Sequence, residues 1–199
     1  MEPVEQAYGA MAERYIEAFG HRDQVHPGDL ALIVGHLGTL VGPVLDAGCG
    51  PGHLTAHLRS LGVASTGIDL VPAFLDHGRA ADPDGRHVQA SMRRLPLADG
   101  CASGLLSWYS LIHLPPDELD PVLAELRRVL APGATAVVGF FPGASLEPFD
   151  HKVATAWSWP VDDLSARLDQ AGFAELERRQ EPAGVHGPRA HAVLVATAT

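Results

Sequence analysis

The stretch PVLDAGCGPGH, residues 43–53, decides how the rest of the chain is read. Apolar Val44 and Leu45 run into Asp46, and glycine then takes every second position from Gly48 to Gly52. The pattern predicts a short buried strand, a glycine loop, and a helix over HLTAHLRSLG that ends at Gly62. In an open parallel sheet such a loop lies at the carboxyl end of a strand, where ligands bind. Bare backbone lets a ligand come close, and the amides of the following helix point toward it. A dinucleotide loop requires G-x-G-x-x-G, with its third glycine where helix and strand pack closely. That position is His53 here, and the spacing is G-x-G-x-G.

Working outward, hydrophobic periodicity predicts helices over 8–19 and 29–40, ahead of the glycine loop. Beyond it come a second strand over 63–70, a helical segment near 73–80, and a weaker third strand over 85–90. A fourth strand starts in SGLLSWYSLIHL (103–114). Residues 116–130 form a helix whose acidic first turn and basic last turn suit the macrodipole. A fifth strand follows in 131–141, then a helix over 160–172. FAELERRQE and RAHAVLVATA, joined by the short PAGVHGP, are two last strands that pair antiparallel. The expected fold is α/β and Rossmann-like: a seven-stranded, mostly parallel sheet with an antiparallel C-terminal hairpin strand and helices on both faces. One domain is expected over residues 1–199, with residues 1–40 as N-terminal helices covering the ligand site and 41–199 as the core. Only the stretch from Pro142 to about Trp159 lacks clear periodicity, as a binding loop or lid does.

The acids narrow the ligand. Asp46 would sit poorly beside a pyrophosphate and well beside a cation. The second strand ends in GIDL, and an acid there, Asp69, can accept both hydroxyls of an adenosine ribose. An adenosine nucleoside with a positive charge and no phosphates fits these demands, and S-adenosylmethionine is such a molecule.

These residues resemble the class I S-adenosylmethionine-dependent methyltransferases, and the likeness runs in order along nearly the whole chain. VLDAGCGPG is similar to the family's first motif and GIDL to its second-strand acid. RLPLADG, LLSWYSLIHLPP, ELRRVLAPGA and LSARLDQAGF resemble segments around the fourth strand, the fifth strand and the terminal hairpin. The resemblance implies that Gly48, Cys49 and Gly50 back the methionine part of the cofactor, with Asp46 near its amino group. Asp69 would hold the ribose, with Leu70 against the adenine and Ser91 and Met92 lining the adenine pocket. Ser107 and Trp108 would close over the methionyl chain, and Tyr15 would cover the cofactor. His53 is read both as a support for the helix start and as a cofactor contact. Three positions depart from the family: Ser91 replaces an acid, Ala134 replaces a glycine, and Ala102 and Ser103 stand where an acid often begins the fourth strand.

Methyl transfer from a sulfonium needs the acceptor aligned and, for a hydroxyl acceptor, a proton removed. Histidine suits the second task. His113 follows the fourth strand at the ligand-bearing edge, and His151 lies in the long loop after the fifth. Both are expected at the acceptor, with His151 removing the proton and His113 aligning. His36, His57 and His77 are read as solvent-facing, and His21, His26 and His186 as loop residues. Tyr8, Tyr109, Trp157 and Trp159 are candidate pocket walls. No spacing demands a metal set from His113, Asp150 and His151.

Composition bounds the partner. A net charge of −10 disfavours nucleic acid, which needs a basic face. No stretch reads as a secretion signal or membrane span, and two cysteines, Cys49 and Cys101, make no disulfide framework. The expectation is a cytoplasmic methyltransferase acting on a small molecule, with oxygen on a natural product or sugar as the leading acceptor. The competing readings are nitrogen or carbon methylation, and a module that binds the cofactor without turnover.

Overall fold

In a computed structural model, residues 3–151, 153–185 and 188–199 are described; Lys152 and His186 lie outside them. Five strands run parallel: β1 (Val44–Ala47), β2 (Ser65–Asp69), β3 (Arg86–Gln89), β4 (Ala102–Trp108) and β5 (Leu130–Phe140). β6 (Glu147–Asp150) and β7 (Thr155–Ser158) form a separate antiparallel hairpin. β8 (Phe173–Glu181) and β9 (His191–Ala198) complete a seven-stranded sheet of order β3-β2-β1-β4-β5-β9-β8. β9 inserts between β5 and β8, antiparallel to both. The expected sheet is therefore the observed one, and its strand order reverses between β1 and β4.

The helices are α1 (Pro3–Ala10), α2 (Ala12–Phe19), α3 (Pro27–Leu37), α4 (His53–Ser60), α5 (Pro72–Ala81), α6 (Pro116–Val129) and α7 (Val161–Gln170). Strand side chains alternate between the two faces of the sheet, and both faces are covered. Val44, Leu106, Val137, Val193 and Val195 pack against Ile33 and Leu37 of α3 and Leu54 and Leu58 of α4. Their neighbours Leu45, Leu105, Val138 and Leu194 point the other way, into Leu119, Leu123 and Leu126 of α6 and Leu164 and Leu168 of α7. This double burial is why these strands read as continuous apolar runs.

Two elements differ from the sequence expectation. The first helix is broken at Met11, which leaves helical geometry at φ −119° and ψ 10°. The covering role falls to α1 and α2, whose Tyr8 and Ala12 pack on Val71 and Phe74 at the start of α5, while α3 lies on the sheet. The second difference is the β6–β7 hairpin inside the expected loop. Its first strand is mostly exposed and carries Pro148, so no alternation of buried and exposed residues betrays it. Among the described residues, no helix is long and apolar enough to cross a membrane.

Candidate active site

The glycine loop is the floor of the site. Gly48, Gly50 and Gly52 have φ of 78°, 53° and 84°, the left-handed region that side chains avoid. Gly48 has a second constraint: a Cβ there would lie 2.2 Å from Cβ of Ser110. Ser110 is held in turn, its hydroxyl donating to the Ala47 carbonyl at 2.6 Å and accepting from Ser107 at 2.8 Å. The amides of Gly48 and Cys49 both donate to the Ile68 carbonyl, at 2.7 and 3.0 Å, which draws the loop against the end of β2.

Asp69 ties this floor to the next wall. One carboxylate oxygen accepts the Gly50 amide at 2.8 Å and the other the Val71 amide at 2.9 Å. Each oxygen has further lone-pair capacity for a ligand. Burial raises its pKa, opposed by the amides of Val71 and Gly50. The cavity above measures about 800 Å³ including its mouth. Gly48, Gly50, Asp69 and Leu70 line it from the ends of β1 and β2, Ala90, Ser91 and Met92 from beyond β3, and Trp108, Tyr109, Ser110 and His113 from the last residue of β4 onward. All of these stand at the carboxyl edge of the parallel strands, as the switch-point rule requires.

The N-terminal helices close the remaining side with Val4, Tyr8 and Tyr15. Tyr8 and Tyr15 meet edge-on at 5.2 Å between ring centroids, and Tyr15 leans on Phe74 at 5.2 Å. The Tyr8 hydroxyl lies 2.7 Å from Nε2 of His113, and Nδ1 of His113 lies 3.0 Å from the Thr155 carbonyl. A carbonyl only accepts, so Nδ1 carries the proton and Nε2 receives the Tyr8 hydroxyl. Burial lowers the pKa of His113 and favours the neutral ring, an effect partly offset by the bond to the Thr155 carbonyl.

Of the residues singled out in the sequence, Tyr15, Gly48, Gly50, Asp69, Leu70, Ser91, Met92, Trp108 and His113 line the cavity, as do the candidate walls Tyr8 and Tyr109. Asp46 does not. It is 1% exposed and lies beneath the loop, accepting the Thr55 hydroxyl at 2.6 Å. Cys49 is buried with it, and Ser107 is fully buried below Ser110. His53 opens α4 away from the cavity wall, and burial pushes its pKa down to about 4. His151 stands behind His113, with ring centroids 5.4 Å apart, and also meets Phe141 and Phe149. Trp159 is in the core, and Trp157 packs against the core. His36 is only half-buried and pairs with Glu177 of β8 at 2.9 Å.

Sequence reasoning missed Phe74, Val71 and Ser110 on the cavity wall. It also passed over His191, which is 1% exposed and sits beside the equally hidden Asp29. Nothing in the local pattern joins those two, because they are brought together only by the packing of α3 on β9. Among the described residues, no group of three or more His, Cys, Asp or Glu side chains is arranged to hold a metal ion.

The cavity suits one cofactor better than another. A dinucleotide needs a third glycine where His53 puts a largely buried imidazole. An adenosine sulfonium needs a ribose-facing carboxylate, an apolar slot for a base and bare backbone beside its amino-acid part. Asp69, the Leu70–Met92 wall and the loop from Gly48 to Gly50 offer these.

Comparison with known proteins agrees. Residues 44–133 match the family model of a methyltransferase domain. An uncharacterized methyltransferase of Synechocystis sp. is 29% identical over 144 residues, covering 68% of this chain and 68% of that protein. A malonyl-acyl-carrier-protein O-methyltransferase of Pectobacterium atrosepticum is 32% identical over 128 residues, and there the match spans 64% of this chain and only 47% of the relative. In three dimensions the chain is similar over its full length to the 1,6-didemethyltoxoflavin-N1-methyltransferase of Burkholderia thailandensis, solved with S-adenosylhomocysteine bound. The TM-score is 0.76, with 19% identity and 92% of that chain covered, a likeness of fold. Motif order, sheet topology and these relatives converge: residues 44–133 carry a methyltransferase domain, and the chain is similar along its length to the class I S-adenosylmethionine-dependent methyltransferases.

Proposed function

We propose that this protein transfers a methyl group from S-adenosylmethionine to a hydroxyl of a small molecule. The observation that carries the reading is the continuity of the cavity, which runs from the glycine loop and Asp69 to the Tyr8, Tyr109 and His113 wall without a partition. In this reading Asp69 holds the ribose hydroxyls, Leu70, Ser91 and Met92 take the adenine, and the Gly48–Gly50 backbone and Trp108 hold the methionine part. Tyr8 and Tyr15 keep water out. When bound, the cofactor supplies an electrophilic methyl carbon, so the protein has mainly to align the acceptor. The acceptor faces Tyr109 and His113, with Phe141, Phe149 and His151 packed behind.

His113 has both ring nitrogens engaged, and His151 is set back from the cavity. The geometry therefore supports alignment for both better than proton removal. Oxygen is favoured by the Pectobacterium relative, an O-methyltransferase, and a small acceptor by the acidic charge of the chain.

The test is labelled S-adenosylmethionine with a panel of hydroxylated, amino and carbon acceptors, the products identified by mass spectrometry and NMR. A methyl ether is expected. A product methylated only at nitrogen or carbon refutes the oxygen reading, and binding without transfer to any acceptor refutes turnover. His113→Ala and His151→Ala should raise the acceptor KM while lowering kcat less than the ~10²–10⁴-fold that loss of a base costs. A loss of that size at unchanged KM would make the histidine the base.

A further inference from the structure

Behind the face that Tyr109 presents to the cavity lies a buried polar chain that none of these roles uses. Asp29, in the first turn of α3, is 4% exposed, and His191, the first residue of β9, is 1% exposed. The Tyr109 hydroxyl is hydrogen-bonded to Nδ1 of His191, and Oδ1 of Asp29 lies 3.2 Å from Nε2 on the other side of the ring. Three elements remote in sequence thus converge on one line that starts at the cavity wall and ends in the core.

The line has a direction. A carboxylate beside Nε2 favours the proton on that nitrogen, which leaves the Nδ1 lone pair facing the phenol. Tyr109 therefore donates to His191, and the lone pairs of its oxygen are left to accept a proton from the cavity side. Glu181 stands opposite His191 in the β8–β9 register, and the Arg179 guanidinium donates to the Gly28 carbonyl next to Asp29. Trp108 and Phe141 pack on the Tyr109 ring at 5.5 and 4.7 Å and screen the line from water.

Two further observations set this apart from ordinary packing. A buried carboxylate–imidazole pair is seldom worth more to stability than apolar side chains of the same volume. Tyr109 is also the only non-glycine residue with positive φ among the described residues, at 55°, held by its amide on the Gly139 carbonyl at 3.0 Å. Strained backbone of this kind persists where the surroundings over-determine it, and it clusters at working sites.

We propose that Tyr109, His191 and Asp29 form a proton relay that carries the acceptor's proton out of the cavity during methyl transfer. This rests on the reading that the cavity holds the acceptor. As the acceptor atom gives an electron pair to the methyl carbon of the sulfonium, the S–C bond breaks and its electrons stay on sulfur. The acceptor's proton passes to the Tyr109 oxygen, and the phenol's own proton passes to Nδ1 of His191. The resulting imidazolium keeps its Nε2 proton facing the Asp29 carboxylate 3.2 Å away, and Asp29 takes no proton. When the products leave, the imidazolium returns its Nδ1 proton to the Tyr109 oxygen, whose other proton passes to water entering the open cavity. Tyr109 meets the acceptor, and His191 and Asp29 act through it.

Tyr109→Phe keeps the ring and its packing and removes only the hydroxyl. It should lower kcat by ~10²-fold or more and leave both KM values nearly unchanged. In mixtures of light and heavy water, wild-type kcat should fall along a bowed curve, because two protons move together. Asp29→Asn, which touches no cavity atom, should lower kcat at unchanged cofactor affinity; His191→Gln serves the same end if Asp29→Asn does not fold. The ring ¹⁵N shifts of His191, read on the protein without cofactor or acceptor, should place the proton on Nε2. Wild-type kcat in a folded Tyr109→Phe protein, or a proton on Nδ1, overturns the relay. A nitrogen-methylated product with kcat lost in Tyr109→Phe keeps the relay and removes the oxygen reading. A methyl ether product with kcat intact in Tyr109→Phe does the reverse.

Discussion

Asp46 and Asp69 sit on neighbouring strands, and their surroundings give them opposite tasks. Asp69 reaches the cavity with its carboxylate braced by two amides, so it is ready to meet a ligand without reorganising. Asp46 lies beneath the loop, where burial pushes its carboxyl up to about 7 against the pull of the Thr55 hydroxyl. An unfolded aspartate ionises near pH 4. Between roughly pH 4 and 7 the folded chain therefore holds a proton that the unfolded chain has lost, and stability falls as pH rises through that window. Asp46→Asn keeps an acceptor for Thr55 and removes the charge. It should be more stable than wild type at pH 8, by roughly 2–4 kcal/mol, with the gap closing toward pH 4. Thermal melts at both pH values check this, and equal melting temperatures at pH 8 would mean that Asp46 is comfortable as a carboxylate. Gly48 was legible in sequence as a position for bare backbone, whereas its tight fit against Ser110 depends on a loop sixty residues further on.

At the scale of elements, the site is a joint between the rigid strand ends and two short helices. α1 and α2 have eight residues each, too short to be stable alone, so they owe their order to docking. The Tyr8 hydroxyl on His113 is the polar part of that docking, and the Tyr8, Tyr15 and Phe74 rings are the apolar part. Tyr8→Phe keeps the rings and loses one hydrogen bond of about 0.5–1.5 kcal/mol. Release of S-adenosylhomocysteine should become roughly two- to tenfold faster, with the fold intact. Stopped-flow fluorescence measures it, and an unchanged release rate would show that α1 does not gate the cofactor. Helices and central strands were legible because their periodicity is enforced over many residues by backbone geometry and burial. The β6–β7 hairpin was not, since β6 turns little of itself to the core. Its function is nonetheless local and specific: the Thr155 carbonyl of β7 fixes which nitrogen of His113 carries a proton.

For the whole molecule, the cofactor should act as part of the structure. A ligand at a hundred times its dissociation constant adds about 2.7 kcal/mol to the folded state. In a chain of this size that raises the melting temperature by roughly 5–10 °C. S-adenosylhomocysteine should do this, NAD at the same concentration should not, and Asp69→Ala should need more ligand for the same shift. A larger shift with NAD would overturn the assignment of the glycine loop. By itself the sequence determined the order of strands and helices, the glycine loop, the acid that ends β2 at the cavity and the cofactor family. Those depend on backbone conformation and on residues close in the chain, where a motif of a few positions carries the whole physical requirement. Only the tertiary structure decided that Asp46 and His53 stay off the cavity wall, that His151 stands behind His113, and that Asp29, His191 and Tyr109 meet. Each of these outcomes depends on how helices and strand ends pack across the sheet, and the distance between two side chains from remote segments is written in no local pattern.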